Sequence, residues 1–159
     1  MFDCISHLGH GICIGSEISG GIEDVGIWDC DLAKSSSGIE IKATKKRGGY
    51  VRDIWVRDCS SPRVMVHSVG YNDDGVPAPQ PPVFEKFRFD RLRLTGRALD
   101  QDWFEVSPVE LAGFDVPGHE LRGVVLKDCV ITGGLPTVHM EYCEDVTLEE
   151  MSFGIDSKI

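Results

Sequence analysis

The chain has 159 residues, of which 42% are hydrophobic and 26% are charged, and its formal net charge at pH 7 is −10. This composition is that of a folded domain with a sizeable core. The negative charge argues against a nucleic-acid partner, and no apolar stretch is long enough to span a membrane, so neither partner is expected. Residues 1–20 lack the pattern of a signal peptide, although a truncated chain would have lost one. The compartment of the parent protein therefore stays open: secreted, periplasmic or cytoplasmic.

A nine-residue pattern recurs along the chain, with apolar residues or cysteine at its first, fourth, sixth and ninth places. Its copies are residues 22–30, 51–59, 84–92, 121–129 and 143–151. Successive copies start 29, 33, 37 and 22 residues apart, which is too irregular for a propeller or a helical repeat. The spacing favours a solenoid whose coils carry loops of variable length.

A second, shorter run of alternating apolar and polar residues lies between the copies. These runs are residues 11–15, 38–42, 63–67, 103–107 and 137–141. Alternation with β-branched residues indicates strands, and helical spacing is sustained nowhere. Coils stacked about 4.8 Å apart would form parallel sheets around a filled core. The sequence predicts an all-β fold, a parallel β-helix over residues 1–159 as a single domain, with an antiparallel sandwich as the alternative.

Cysteines end several copies of the repeat and are expected to point into the core as unpaired thiols; they are Cys4, Cys30, Cys59 and Cys129. The chain has no C-x-x-C pair and no zinc-ligand spacing, so the sequence predicts no metal site. Residues 1–4 match only the end of the pattern, so the chain is expected to start inside a strand. A β-helix truncated at its N-terminus would have this form.

Two segments could carry chemistry. Glycines on both sides of His10 let the backbone and the imidazole approach a ligand closely, although Gly-His-Gly also occurs in plain turns. Residues 34–52 hold six cations against one acid, Glu40, which could focus an acidic ligand or only solubilise a loop. The cations are Lys34, Lys42, Lys45, Lys46, Arg47 and Arg52.

Residues 9–16 read Gly-His-Gly, an apolar strand and Gly-Ser; residues 38–42 then read Gly-Ile-Glu-Ile-Lys, followed by Gly-Gly at 48–49. This order resembles glycoside hydrolase family 28, the polygalacturonases, specifically over residues 1–70 and more weakly afterwards. The resemblance implies a single-stranded right-handed parallel β-helix that hydrolyses α-1,4-galacturonide linkages of pectin with inversion and without a cofactor. The family's catalytic carboxylates lie in Asn-Thr-Asp and Asp-Asp segments before Gly-His-Gly, and neither occurs here. The chain is therefore expected to be a C-terminal fragment, inactive alone.

The resemblance also assigns roles to single residues. His10 would stand beside the missing catalytic acid and help to hold its protonation state. Lys42 would contact a substrate carboxylate, and Tyr71 would stack on or hydrogen-bond to a sugar. Glu40 stands where the family usually has arginine, so it is expected to pair with a lysine such as Lys42 or to accept hydrogen bonds from sugar hydroxyls.

Other residues are interpreted as structural or surface residues. This group contains His7, His67, His119 and His139. The acidic pair at Asp73 and Asp74 is interpreted as a turn. Trp28 and Trp55 are interpreted as equivalent outward positions that stack between coils. Two other functions stay open, a non-catalytic β-helix that binds acidic polysaccharide and a purely structural β-helix, as do the exact substrate, endo or exo action and the oligomeric state.

Overall fold

The computed structural model describes residues 1–71, 75–96 and 106–154, and all the regular elements within these ranges are β-strands. The strands are β1 (Gly11–Ile14), β2 (Gly21–Trp28), β3 (Gly38–Ala43), β4 (Tyr50–Arg57), β5 (Ser60–Ser61), β6 (Val64–Ser68), β7 (Val83–Asp90), β8 (Arg93–Leu94), β9 (Val109–Ala112), β10 (Leu121–Lys127), β11 (Val130–Ile131), β12 (Val138–Glu141), β13 (Cys143–Glu149) and β14 (Ser152–Phe153). Within the described part of the chain, no helix is long and apolar enough to cross a membrane.

The strands form three sheets in which neighbouring strands come from successive coils. The first sheet has the order β1-β3-β6-β9-β12, the second β2-β4-β7-β10-β13 and the third β5-β8-β11-β14. All the strand pairs in these sheets are parallel. Three parallel sheets visited in turn by each coil are a parallel β-helix. The predicted fold is confirmed, and the antiparallel sandwich is wrong.

The nine-residue copies stack without any offset in the second sheet. Ile22 pairs with Val51, Val51 with Phe84, and Leu121 with Cys143, each at the first place of its copy. The sixth place is buried in the middle copies, for example at Phe89. The apolar places of the pattern therefore form ladders that run through the interior, as the repeat predicts.

The predicted cysteine ladder is largely confirmed. Cys30, Cys59 and Cys129 are buried, and each thiol donates to the carbonyl two residues earlier at 3.1 to 3.3 Å. Cys4 makes the same bond at 3.3 Å but is only half-buried, since it lies against the edge strand β2. Phe2 forms a parallel bridge with Trp28, which is the register that the alignment of Cys4 with Cys30 requires.

The predicted strand over residues 103–107 is wrong in the part that can be compared. Residues 103–105 lie outside the described ranges, and residues 106–107 are not in a strand. In the first sheet β9 pairs with both β6 and β12, so this coil's strand begins at Val109. Val109 and Leu111 are fully buried, and Pro108 directly precedes them. The true strand follows the same alternation, shifted along the chain.

The predicted equivalence of Trp28 and Trp55 is also wrong. Trp28 pairs with Arg57, and Trp55 pairs with Gly26, so the two indoles occupy different places of the repeat. Trp28 stacks on Phe2, with ring centroids 5.5 Å apart. Trp55 is 60% exposed. The acidic pair at Asp73 and Asp74 lies outside the described residues.

Candidate functional site

Polar side chains collect on the outer face of the first sheet. In β3 the inward residues Ile39 and Ile41 are fully buried in the core, so alternation turns Glu40 and Lys42 to the outer face. In β6 the same alternation turns His67 outward. A cleft of about 340 Å³ lies over this face. It is lined by His10, Ser36, Ser37, Glu40, Lys42, Arg63, Met65, His67, Tyr71 and Glu110.

Glu40 lies at the floor of the cleft, with its side chain only 7% exposed. Its Oε2 accepts hydrogen bonds from Lys42 Nζ at 2.9 Å and from Cys13 Sγ at 3.5 Å, and its Oε1 lies 3.1 Å from His67 Nε2. Burial alone would raise the pKa of Glu40, but the hydrogen bonds from His67 and Lys42 outweigh burial and lower it to about 2. Glu40 is therefore ionised, and of the interactions expected for it the structure shows the pairing with Lys42.

His67 lies between two carboxylates. Its Nε2 faces Glu40, and its Nδ1 lies 2.8 Å from Glu110 Oε1. Because a carboxylate only accepts, both ring nitrogens must donate, which requires the imidazolium form. Burial lowers the pKa of His67, but the hydrogen bonds to Glu110 and Glu40 outweigh burial and raise that pKa above its ordinary value.

Arg63 closes the other end of this network. Its Nη2 donates to Glu110 Oε2 at 2.6 Å, and its Nε donates to the Ser107 carbonyl at 3.0 Å. The hydrogen bond from His67 lowers the pKa of Glu110, and the charge of Arg63 lowers it further. Five side chains of alternating charge thus cross the face of three strands. We call this set the charge chain: Arg63, Glu110, His67, Glu40 and Lys42.

Lys42 and Tyr71 form one wall of the cleft. The ammonium of Lys42 lies 5.4 Å from the centroid of the Tyr71 ring, a cation–π distance. Burial lowers the pKa of Lys42, but its hydrogen bonds with Tyr71 and Glu40 outweigh burial, so that pKa is raised. Tyr71 is 48% exposed. The wall therefore presents a fixed positive charge beside an open aromatic face.

His10 lies at the mouth of the cleft, just before β1, and is exposed. Its carbonyl accepts from the amides of Ser37 at 3.1 Å and Gly38 at 2.9 Å. Gly11 follows with φ of 99°, and a Cβ there would lie 2.2 Å from the Gly38 carbonyl oxygen. Only glycine allows this close approach of β1 to β3. The imidazole of His10 shares the outer face with Cys13 and Glu40, and their ligand atoms lie within 4.8 Å of one another.

Two known proteins are similar to this chain, and no protein-family profile matches it. A probable polygalacturonase of Vitis vinifera is 54% identical over 54 residues, which are 34% of this chain and 11% of that protein. The family 28 exopolygalacturonase of Yersinia enterocolitica has the same fold, with a TM-score of 0.68 at 19% identity over 99% of this chain. Over those 54 residues this chain is similar to a polygalacturonase, and over nearly its whole length it has the fold of one. It spans 31% of the length of the bacterial enzyme.

The residues predicted from the resemblance to polygalacturonases come together in the structure. His10, Glu40, Lys42 and Tyr71 all line the one cleft. The sequence left open whether the cations of residues 34–52 focus an acidic ligand or solubilise a loop, and among them Lys42 is the one that lines the cleft. Arg47 instead pairs with Glu17, and Arg52 pairs with Glu23 at 2.6 Å.

Sequence reasoning missed three of the five residues of the charge chain in this cleft. His67 was interpreted as a structural or surface residue, and Arg63 and Glu110 were not singled out at all. Glu110 lies 43 residues from His67 in the chain and meets it only because β6 and β9 stack side by side. The outward place of His67 in its alternating strand, in line with Lys42, was the available signal.

The chemistry of the cleft follows from its protonation states. A general acid needs a pKa near the working pH, and glycosidases raise the pKa of theirs. Glu40 and Glu110 are the carboxylates among the residues that line this cleft, and both have lowered pKa values. The described part of the chain is therefore suited to hold an anionic or hydroxyl-rich ligand, and neither of these carboxylates is suited to donate a proton.

Proposed function

We propose that this chain forms part of the substrate cleft of a pectin-degrading glycoside hydrolase of the polygalacturonase type, which cleaves α-1,4-galacturonide linkages with inversion in the intact protein. One observation carries the proposal. His10, Glu40, Lys42 and Tyr71, each assigned to the site from sequence, line a single cleft. The similarity to a grapevine protein described as a probable polygalacturonase supports the proposed substrate class.

Lys42 is the proposed contact for a galacturonate carboxylate. An ammonium has three donors, and the hydrogen bond to Glu40 uses one of them. Another donor can meet a sugar carboxylate from the open side of the cleft. Glu40 fixes the ammonium at 2.9 Å, and the exposed ring of Tyr71 offers a face on which a sugar can stack.

His10 is the proposed supporting residue for the proton donor. Inverting hydrolysis needs two carboxyl groups about 6.5 to 9.5 Å apart, one of them protonated. Glu40 and Glu110 do not fit the protonated role, since both are held ionised. We therefore assign substrate binding and support of the acid to this chain, and we expect that the isolated chain releases no reducing sugar.

The test compares binding and turnover on the same purified chain. Trigalacturonate should bind, as seen by calorimetry, and binding should weaken as salt is added. Lys42→Met keeps most of the length of the side chain and removes its charge. It should weaken binding by about tenfold or more, since a hydrogen bond to a charged group contributes about 1.5 to 3 kcal/mol.

The matched control is Lys45→Met, because Lys45 is exposed and does not line the cleft. Equal losses in the two variants would show that only the overall charge matters and would refute the role of Lys42. Reducing-sugar release from oligogalacturonides by the purified chain would refute the assignment of binding without proton transfer. A general acid or base contributes about 10² to 10⁴-fold, so such activity would be easy to detect.

A further inference from the structure

Three potential metal ligands of different chemistry converge at the mouth of the cleft. An imidazole nitrogen of His10, Sγ of Cys13 and a carboxylate oxygen of Glu40 all lie within 4.8 Å of one another, and Cys13 Sγ is 3.5 Å from Glu40 Oε2. Imidazole, thiolate and carboxylate are the three ligand types that zinc takes in proteins. We propose that His10, Cys13 and Glu40 bind a divalent ion of the zinc type, with the fourth position open to the cleft.

The distances suit such an ion after a small movement. Zinc bonds of about 2.0 to 2.3 Å place two tetrahedral ligand atoms about 3.3 to 3.8 Å apart. The Cys13–Glu40 pair already meets this spacing. The remaining ligand distances, which are at most 4.8 Å, need to shorten by about 1 Å. His10 is exposed just before β1, so its imidazole can rotate toward the other two ligands without disturbing the core.

The fold holds the ligands in place before any ion arrives. Cys13 and Glu40 are direct partners in the register of β1 and β3. The backbone of His10 is fixed by the two amide hydrogen bonds from the next coil. The Glu40 side chain is more than nine-tenths buried, and His67 holds its other oxygen at 3.1 Å. A carboxylate that binds a metal is usually oriented in this way, by a hydrogen bond from an outer-sphere residue.

Lys42 decides how tightly the ion binds. Its ammonium lies 2.9 Å from Oε2 of Glu40, the same oxygen that faces the thiol. Ion and ammonium therefore compete for one oxygen. When the ion binds, a metal–sulfur bond forms, the thiol proton leaves to solvent, and the ammonium moves away from Glu40. No electron is transferred in this step.

The test uses Zn²⁺ for affinity and Co²⁺ as a spectroscopic probe, each added to the full chain in a non-coordinating buffer. A cobalt–thiolate bond gives an intense charge-transfer band, which reports Cys13 directly. We expect one ion per chain. Cys13→Ser should abolish the band, and His10→Ala should weaken Zn²⁺ binding by more than about tenfold, since even outer-sphere partners change metal affinity on this scale.

Two further variants make the test specific. His7→Ala removes another exposed histidine, three residues before His10 in the chain, and should leave the Zn²⁺ affinity unchanged. Lys42→Met should tighten Zn²⁺ binding severalfold, which is opposite in sign to its expected effect on trigalacturonate. The proposal is overturned if no ion binds below millimolar Zn²⁺, if the cobalt band survives in Cys13→Ser, if His10→Ala and His7→Ala behave alike, or if Lys42→Met fails to tighten binding.

Discussion

The arrangement of charged side chains in the cleft depends on one residue, His67, because it joins the two halves of the charge chain. Without its positive charge, Glu40 and Glu110 would face each other across the imidazole with only Lys42 and Arg63 to balance them. Glu40 is buried, and an unpaired buried carboxylate is costly. His67 therefore makes the stability of this face dependent on pH.

The sign of that dependence follows from the shifted groups. The pKa of His67 is raised above its ordinary 6.5, so its stabilising contribution is complete below pH 6.5 and is lost as pH rises through the raised value. The pKa values of Glu40 and Glu110 are lowered, to about 2 for Glu40, so their contributions are complete above pH 4.5 and are lost as pH falls through the lowered values. The charge chain stabilises the fold most between these two limits.

We predict that His67→Gln removes the loss of stability above pH 6.5. At pH 5.5 the variant should be about 1 to 3 kcal/mol less stable, because it leaves hydrogen bonds to charged groups unmade. The measurement is thermal unfolding against pH, with a chelator present to keep metal ions away. His7→Gln, at an exposed position, should follow the parent curve. A His67→Gln curve parallel to that of the parent would contradict the ionised pairing.

The sequence revealed only part of the site, and the reason is the length of the coils. His10, Glu40 and Lys42 lie in short motifs whose spacing is visible in the chain. His67 meets Glu40 across 27 residues and Glu110 across 43, because the loops between strands differ in length. The register of the first sheet depends on these loops, so outward neighbours in different coils could not be paired from the sequence.

At the scale of the repeat, two of the polar places share an unusual backbone conformation. The third and eighth places of the copies adopt left-handed backbone conformations, with positive φ. The residues concerned, apart from Gly123, are Asp24, Asp29, Asp53, Asp58, Lys86, Arg91, Asp128, Asp145 and Glu150. Aspartate tolerates this conformation better than most residues, which accounts for its recurrence. The apolar pattern located the strands without this signal, although the recurring aspartates would have indicated the bends.

Lys86 is the exception at the third place, since it has φ of 61° where three of the other copies have aspartate and one has glycine. We predict that Lys86→Asn raises the free energy of unfolding by about 0.5 to 1 kcal/mol, because asparagine adopts the left-handed region more readily than lysine. The Lys86 side chain is 61% exposed, and its Nζ lies 3.8 Å from Asp53, so little is lost with it.

Urea unfolding of both proteins measures this gain. Lys86→Ala is the control, because it removes the same charge without supplying the short polar side chain that lets asparagine adopt the left-handed region. Its stability should stay at or below that of the parent chain. Equal gains in the two variants would show that charge, rather than backbone strain, is the cause.

The error at β9 shows where a pattern based on alternation fails. Residues 103–107 and Val109–Ala112 alternate equally well, and the repeat length leaves either stretch possible. Burial decides between them, since Val109 and Leu111 fill the interior next to Val64 and Val66 of β6. Interior packing is a property of the stacked coils, and the sequence of one coil does not contain it.

At the scale of the whole molecule, charge fixes the register on the outside as the apolar ladders do on the inside. The second place of the repeat alternates in sign along the second sheet: Glu23, Arg52, Glu85, Arg122 and Glu144. Arg52 lies 2.6 Å from Glu23, and Arg122 lies 3.6 Å from Glu144. If stacking skipped one coil, residues of the same sign would become neighbours in this row. The alternating charges therefore oppose misregistered stacking.

The interior thiols report whether this solenoid opens coil by coil. Each coil contacts only its neighbours, so opening should start at the edge of a sheet and move inward. Cys4 lies outside β2, Cys30 ends the copy that contains β2, and Cys59 ends the next copy. We predict that a thiol reagent under native conditions labels Cys4 first, then Cys30, then Cys59, as followed by mass spectrometry of peptides.

Burial raises the pKa of Cys59 to about 11 and so slows its reaction further. The labelling rates must therefore be compared with those of the urea-unfolded chain. Equal protection of Cys30 and Cys59 after that correction would show that the β-helix opens in one cooperative step, and native disulfides would contradict the ladder itself.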